Sequence, residues 1–549
     1  MSSQSIRIGW FAAFLIAAVN VLGAFTCLLG TSNTVPATDG GWSLNAHPST
    51  PLIVTLTFTV VGVGALAVCV ALAALRRGWR PSPSLLLGVG LGFAALYALT
   101  PIGGSNDVQS YAVYGRMSAL GLDPYLTVPR QLVAAGDHVA RIGPDTWLDT
   151  PSVYGPVANW LFALAAHLGG ASMFKITLVL KVMAGLAFAA IGLLLDRLAG
   201  PSPERRARAH LLWTVNPLML WACVAGAHVD VIAAVFMVAA YYACSTTGVN
   251  PRTPRVGLRS QCLTTGANPR TPRVGLRSLV QLETLLVKSQ CAATRSGVLT
   301  PLLAGLAAGA LIGVAASVKV PFVLAGLGLA WAARRSWRML AGLAAGLVFT
   351  VAAAYALAGR GAVDVLLNKA EDVAPTNPWR WFPRWGISMT HPEMAQAGFV
   401  AAAVLALILL WRLPVTTALP TGPGRPEAAA YVSFAVCTAL LMASPLQHPW
   451  YDALIFPLLA LMPWTRIDWL IELRLLAGSL GYLPGVPLLT GERWPWPMRW
   501  IRAEFNNWWM SAALGILAIC VALVLLAPRR DRAAALRSAP GVASLRTTG

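Results

Sequence analysis

The sequence predicts an all-α polytopic membrane protein, a bundle of about 12–14 transmembrane helices with a large first loop. Composition is the first reason. Of 549 residues, 57% are hydrophobic and 11% charged, with a mean hydropathy of +0.64. Soluble domains carry roughly a quarter charged residues, so so few charges could not cover this much apolar surface. Continuous apolar runs are the second reason. Residues 9–30, 52–75, 85–100 and 512–528 approach or exceed the roughly 20 residues that a helix needs to cross a bilayer. The third reason is an exclusion: no ten-residue stretch alternates with period two, as barrel strands must.

Basic residues orient the runs. MSSQSIRIGW leads into the first run without a small-residue cleavage site, so it reads as a retained span rather than a signal peptide. With the amino terminus inside, residues 31–50, which lack Lys and Arg, lie outside, and Arg76, Arg77 and Arg80 lie inside. Residues 1–100 thus form the first spans, and 101–173 form an outer loop ending in an interfacial helix over 155–170. The run 175–198 returns to Arg205, Arg206 and Arg208. Alternation then gives spans at 210–226 and 229–243, with 174–243 as one block of spans. In the block 298–528, spans fall at 298–316, 320–333, 339–357, 399–411, 429–446, 451–463, 470–489 and 512–528, with outer loops at 359–395 and 490–506. Arg334 and Arg335 close one inside turn, and Arg529, Arg530 and Arg532 open a cytoplasmic tail, 529–549.

The net charge of +20 reflects these membrane anchors. No basic stripe is interleaved with aromatics, so nucleic acid is not an expected partner. Eight cysteines show neither C-x-x-C nor metal spacing, which argues against a disulfide framework or structural zinc. Residues 244–261 (CSTTGVNPRTPRVGLRSQ) recur nearly unchanged as 262–279, too few copies for a solenoid. Residues 244–297 are expected to be a disordered basic cytoplasmic insert.

Polar residues near the apolar zone are costly there and are functional candidates. Asp107 follows the third run in GGSNDVQSYAVYGRM. His228 and Asp230 fall at the hairpin AGAHVDVIAA, Lys319 at ASVKVPFVL, and Gln447, His448, Trp450 and Tyr451 at SPLQHPWYDAL. Each has a plainer reading: Asp107 as a helix cap, His228 and Asp230 as a turn, Lys319 as a snorkelling lysine, Trp450 and Tyr451 as an interfacial belt. Alternation of the spans nevertheless puts all of them on one face. Arg116 and Arg380 add guanidinium groups suited to bidentate phosphate binding, or to pairing with loop acids.

A lipid phosphate-sugar fits such a face. Its transfer needs cations or amides to hold the departing phosphate, a carboxylate to take the acceptor proton, and an apolar groove for the lipid. Asp107 suits the base, Lys319 with Arg116 the phosphate site, and His228, Asp230, Gln447, His448, Trp450, Tyr451 and Tyr154 the sugar site.

At these residues the chain resembles a known family. SNDVQSYAVYGRMSALGLDPY followed by DTPSVYGP is similar to the first outer loop of actinobacterial polyprenol-phosphate-mannose-dependent α-(1→6)-mannosyltransferases, in the GT-C superfamily. AHVDVIAAVFMVA, SVKVPFVLAGLGLAW and SPLQHPWY match in order, from about residue 85 to residue 463. The resemblance implies a GT-C-like bundle, a β-linked polyprenyl-phosphate mannose donor, a glycolipid or polysaccharide acceptor of lipomannan type, inversion, and a catalytic acid at Asp107. It places the enzyme in the cell membrane with its site on the extracytoplasmic side. Two departures are Val229, where the family often has Asn, and the insert 244–297. No cofactor is expected: the outer acids Asp107, Asp123, Asp145 and Asp149 have no ligand spacing that selects a metal, although a divalent cation is compatible with them. Two rivals predict otherwise. A transporter or flippase of a lipid-linked saccharide would move substrate without transfer, and a scaffold would tolerate loss of every polar candidate.

Overall fold

The computed structural model describes residues 3–246, 300–368, 377–382, 385–412, 426–445, 447–483, 485 and 499–526. The insert beyond residue 246, parts of the loops 359–395 and 490–506 and the tail 529–549 lie outside the described residues, as does the Arg380 side chain. Among the described residues every regular element is a helix. A lipid-facing backbone must bond to itself, and apolar runs of this length do so as helices.

Helices α1 (Ser3–Leu28) and α2 (Thr50–Arg76) form an antiparallel pair, and α3 (Pro83–Leu99) follows. The segment to residue 169 holds α4 (Asp107–Ala119), the short α5 (Pro129–Ala134) and α6 (His138–Ile142), and α7 (Pro156–Gly169). Then come α8 (Met173–Leu198), α9 (Pro203–Leu212), α10 (Pro217–Leu220), which runs into a π-turn at Trp221–Ala225, and α11 (Asp230–Thr246). After the insert follow α12 (Thr300–Val318), a 3-10 turn at Val320–Ala325, α13 (Gly326–Ala333), α14 (Trp337–Ala358), α15 (Arg360–Asn368) and α16 (His391–Arg412). The chain continues through α17 (Pro426–Ala443), a 3-10 turn at Pro449–Leu454, α18 (Phe456–Leu461), α19 (Ile467–Tyr482), and a π-helix at Ile501–Met510 that leads into α20 (Ser511–Leu526).

Seven of the described helices are long and apolar enough to cross a bilayer, and the pair Pro217–Ala225 and Asp230–Ser245, bent by 113°, forms either a broken eighth span or a re-entrant loop. Four shorter apolar helices join them, at Pro83–Leu99, Val320–Ala333, Glu427–Ala443 and Pro449–Leu461. This is a multi-pass, all-α membrane protein. Helices α12 and α14 approach until backbone meets backbone. A Cβ added at Gly305 or Gly309 would strike the carbonyls of Met339 or Leu343, and one at Gly342 or Gly346 those of Leu302 or Leu306. Small residues spaced by four admit such contact where lipid supplies no hydrophobic drive.

The span count differs from the charge-alternation estimate in two places. Residues 210–226 are not one helix. α9 stops, Pro217 restarts the chain without an N–H to continue the earlier helix, and Asn216 Oδ1 caps α10 by accepting from Leu218 N (3.0 Å). The restarted piece and α11 are the two arms of the single bent pair. The run 470–489 is represented by α19, which carries Asp468, Glu472 and Arg474 turned into the protein, all buried.

Arg208, expected among cytoplasmic anchors, is one of their partners. It is 3% exposed. Its guanidinium donates to both Asp468 oxygens (2.6 and 2.8 Å) and to the carbonyls of Leu459, Ala460 and Met462 (3.0, 3.2 and 2.7 Å). Those contacts use all five of its N–H donors. Arg474 pairs with Asp452, and Asn216 donates to Glu472 (2.9 Å). Its neighbours Arg205 and Arg206 pair with Glu427 (2.8 Å) and Asp196 (2.7 Å).

Candidate active site

Four breaks between helices build the site. The link from α3 to α4 brings Asp107, which opens α4. Its carboxylate is not a cap: Asn106 holds the N-cap position, and no side chain caps there. The Asp107 backbone N–H donates to Ser105 Oγ (3.2 Å). The bend between the π-turn and α11 brings His228 and Asp230. It turns at Ala227, which has φ +50°, a left-handed conformation that costs an L-residue roughly 1–2 kcal/mol. The end of α12 brings Lys319, and the turn after α17 brings His448, Trp450 and Tyr451.

Their side chains meet. His228 Nδ1 lies 3.6 Å from Asp107 Oδ2. Lys319 Nζ donates to both oxygens of Asp230, at 2.7 and 2.8 Å, and sits 3.7 Å from the centre of the Tyr451 ring. Those two bonds leave the ammonium a third donor. Trp450 lies parallel to both imidazoles, with ring centres 3.5 Å from His228 and 4.6 Å from His448. Asp107 keeps 16% of its side chain exposed, whereas His228 and Asp230 are almost fully covered.

Burial raises the Asp107 carboxyl to about 7. The Lys319 cation opposes that rise and the Asp230 charge adds to it. Burial, helped by Lys319, pushes His448 down to about 3. Asp107 therefore changes charge near neutrality, where a general base is most effective, and His448 is neutral there.

The other expected residues divide. Tyr154 flanks the group: its ring meets Tyr111 edge-on at 4.9 Å, and Tyr111 Oη lies 3.5 Å from His228 Nδ1. The neighbouring Gly155 N–H donates to Val318 O (3.2 Å), docking the DTPSVYGP segment beside Lys319. A side chain there would collide with the Ser317 carbonyl. Gln447 donates its amide to Met442 O and Ser444 O (3.2 and 3.0 Å) and so braces the end of α17. Arg116, read above as a partner of Lys319, is not brought to it. Two and a half turns along α4 from Asp107, its Nε donates to Asp137 (2.9 Å). That was the loop-acid alternative for Arg116.

Two residues enter without having been singled out. Tyr111 lies one helical turn after Asp107, and that i+4 spacing was a usable signal. Tyr482 on α19 packs edge-on against Trp450 at 4.8 Å and lies 3.3 Å from Ser105 Oγ. Nothing local to Tyr482 in the sequence marks that approach. A small recess beside His448 is lined by Asp452 and Arg474. Among the described residues no group of three or more His, Cys, Asp or Glu side chains is arranged to hold a metal ion.

A carboxylate of raised basicity, a lysine with a spare donor and stacked rings at the meeting ends of membrane helices define a polytopic protein with a polar site at its helix breaks. Within that class the chain belongs to the α-(1→6)-mannopyranosyltransferase family, whose N-terminal-domain model matches residues 6–335. That stretch contains Asp107, His228, Asp230 and Lys319; the turn with His448, Trp450 and Tyr451 follows it. The chain is 28% identical over 235 residues to a probable α-(1→6)-mannopyranosyltransferase of Mycolicibacterium smegmatis, covering 42% of this chain and 40% of that one. It is 29% identical over 124 residues to α-(1→6)-mannopyranosyltransferase B of Corynebacterium glutamicum, covering 23% of this chain and 21% of that one. The matched stretches thus span two fifths or less of these relatives' length. No solved structure matches the chain.

Proposed function

We propose that the protein transfers mannose from a polyprenyl-phosphate donor to a hydroxyl of a glycan or glycolipid acceptor, with inversion and an α-(1→6) product. The observation that carries this reading is the convergence of Asp107, His228, Asp230 and Lys319 from separate helix breaks. Asp107 takes the proton of the acceptor hydroxyl as its oxygen attacks the mannose C1. The bond from C1 to the phosphate oxygen breaks, and the phosphate leaves with the electron pair. Lys319, held by Asp230, offers its third N–H to that phosphate. His228 holds Asp107 on one side, and Trp450, Tyr451, His448 and Tyr154 offer faces for sugar rings. Apolar grooves between the helices take the polyprenyl chain.

The site opens on the extracytoplasmic side of the cell membrane in this reading. Basic residues support it: Arg76, Arg77 and Arg80 stand at the end of the α2–α3 hairpin remote from Asp107. Charge neutralisation at the phosphate falls to Lys319, so transfer is expected to persist undiminished in EDTA; loss that added Mg²⁺ or Mn²⁺ restores would assign that role to a metal. The main test is mannose transfer by the purified protein from polyprenyl-phosphate mannose, with Asp107→Asn alongside. Full activity in the variant removes Asp107 as base. Movement of the lipid-linked sugar across vesicles without transfer would favour a transporter.

A further inference from the structure

Lys181 has no part in the chemistry above, yet it lies mid-helix in α8 and is 1% exposed. A lysine inside a membrane helix is costly enough to need an explanation. Snorkelling does not supply one, because the ammonium is turned inward onto protein oxygens. Its Nζ donates to Pro101 O (2.7 Å), Thr100 Oγ1 (3.4 Å) and Ala225 O (3.4 Å). Three N–H donors thus meet three acceptors.

Those acceptors belong to two different segments. Thr100 and Pro101 end α3 and begin the link to Asp107. Ala225 ends the π-turn and lies three residues before His228. The Ala225 carbonyl also accepts from Gly103 N (3.1 Å), so the same two segments are tied twice at one point. Carbonyls at helix carboxy termini carry partial negative charge, which a cation satisfies better than a neutral donor does.

We propose that Lys181 is a positioning residue, whose ammonium ties the segment bearing Asp107 to the segment bearing His228 and Asp230 and so sets the spacing between acid and histidine. The proposal rests on the assignment of Asp107 as base. Near-attack geometry is steep in distance: a shift of about 1 Å can cost roughly 100-fold in rate. Lys181→Met removes the tie and keeps an unbranched apolar stem. Lys181→Gln, which retains two N–H donors, takes its place if the Met variant does not accumulate.

The first arm measures mannose transfer from polyprenyl-phosphate mannose across pH. The expected result is a kcat lowered about 10- to 100-fold, with donor KM within about threefold of wild type. The acid limb moves from near 7 toward the ordinary carboxylate range as Asp107 gains solvent. The second arm needs no activity. Asp107→Cys is labelled with a membrane-impermeant maleimide, with and without the Lys181 change, over the background of the parent chain. Labelling is expected to be at least about fivefold faster without the lysine. Equal labelling rates overturn the proposal whatever happens to kcat, because the tie then does not hold Asp107. An unchanged acid limb and unchanged kcat overturn it as well. A wild-type protein inactive with this donor would sink the mannosyl reading, while the labelling arm would still decide the role of Lys181.

Discussion

Arg208 and Lys319 are both cations held against a buried aspartate, and they are paired differently. Arg208 has every N–H donor matched, by Asp468 and three carbonyls. Lys319 bonds to Asp230 twice, keeps a donor over, and stands beside the partly exposed Asp107. A cation with no remaining valence can only hold parts together. One with a remaining donor, next to a carboxylate of raised basicity, can still bind something. Exposure separates the two in the same sense, with Arg208 covered and Lys319 18% exposed, as do the count of unmatched donors and the access of the neighbouring acid.

Substitutions can break this contrast. The largest effect is expected at Asp107. Asp107→Asn should lower transfer roughly 100- to 10,000-fold, the range of a lost general base, while thermal unfolding in detergent stays near that of wild type. An equal loss of stability would move Asp107 to the structural side. Arg208→Met should do the reverse. It leaves Asp468 buried and unpaired, a cost of roughly 3–5 kcal/mol, read as a lowered unfolding midpoint and reduced yield. Protein that remains folded should transfer mannose at close to the normal rate.

The pH dependence tests the raised basicity of Asp107. A base must be ionised to act, so kcat should fall as pH drops below about 7, the value to which burial lifts this carboxyl. Rate–pH profiles check this, and an acid limb near 4 would mean that Asp107 is solvated in the working state. The smallest expected effect is at Tyr451. Tyr451→Leu removes the ring face beneath the Lys319 ammonium, an interaction of about 0.5–2 kcal/mol, and should raise the donor KM several-fold with little change in stability. An unchanged KM would show that the ring does not help to hold the ammonium for the phosphate.

Much of this arrangement was legible in the chain itself. Long apolar runs gave α2, α8, α12 and α14 within two residues of their observed bounds, and α1 with its start six residues late, because a bilayer-length helix leaves an unbroken hydropathy signal. Asp107, His228, Asp230 and Lys319 stood out because charge beside such runs is rare. The counterparts of Arg208 and Arg474 did not stand out. Arg208 meets Asp468 across 260 residues of chain, and no local pattern encodes a pairing that tertiary packing creates. The partner of Arg116 was hidden for a related reason: Asp137 reaches it through the fold of the loop, not through spacing on α4. The break at Pro217 was readable, since proline cannot continue a helix, yet the surrounding hydropathy masked it. Lys181 was overlooked inside a run that is otherwise apolar.

Ala227 carries a consequence for anyone selecting sturdier variants. Its left-handed backbone is native to glycine, so Ala227→Gly relieves strain at the bend that presents His228, less the entropy that glycine adds to the unfolded chain. A screen that scores heat resistance alone would have reason to retain that change. It would do so at the bend that presents His228 to Asp107, where a looser backbone blurs the placement on which the proposed chemistry depends. If the proposed site is the working one, durability and turnover are opposed at a single methyl group, and a selection scheme has to score both.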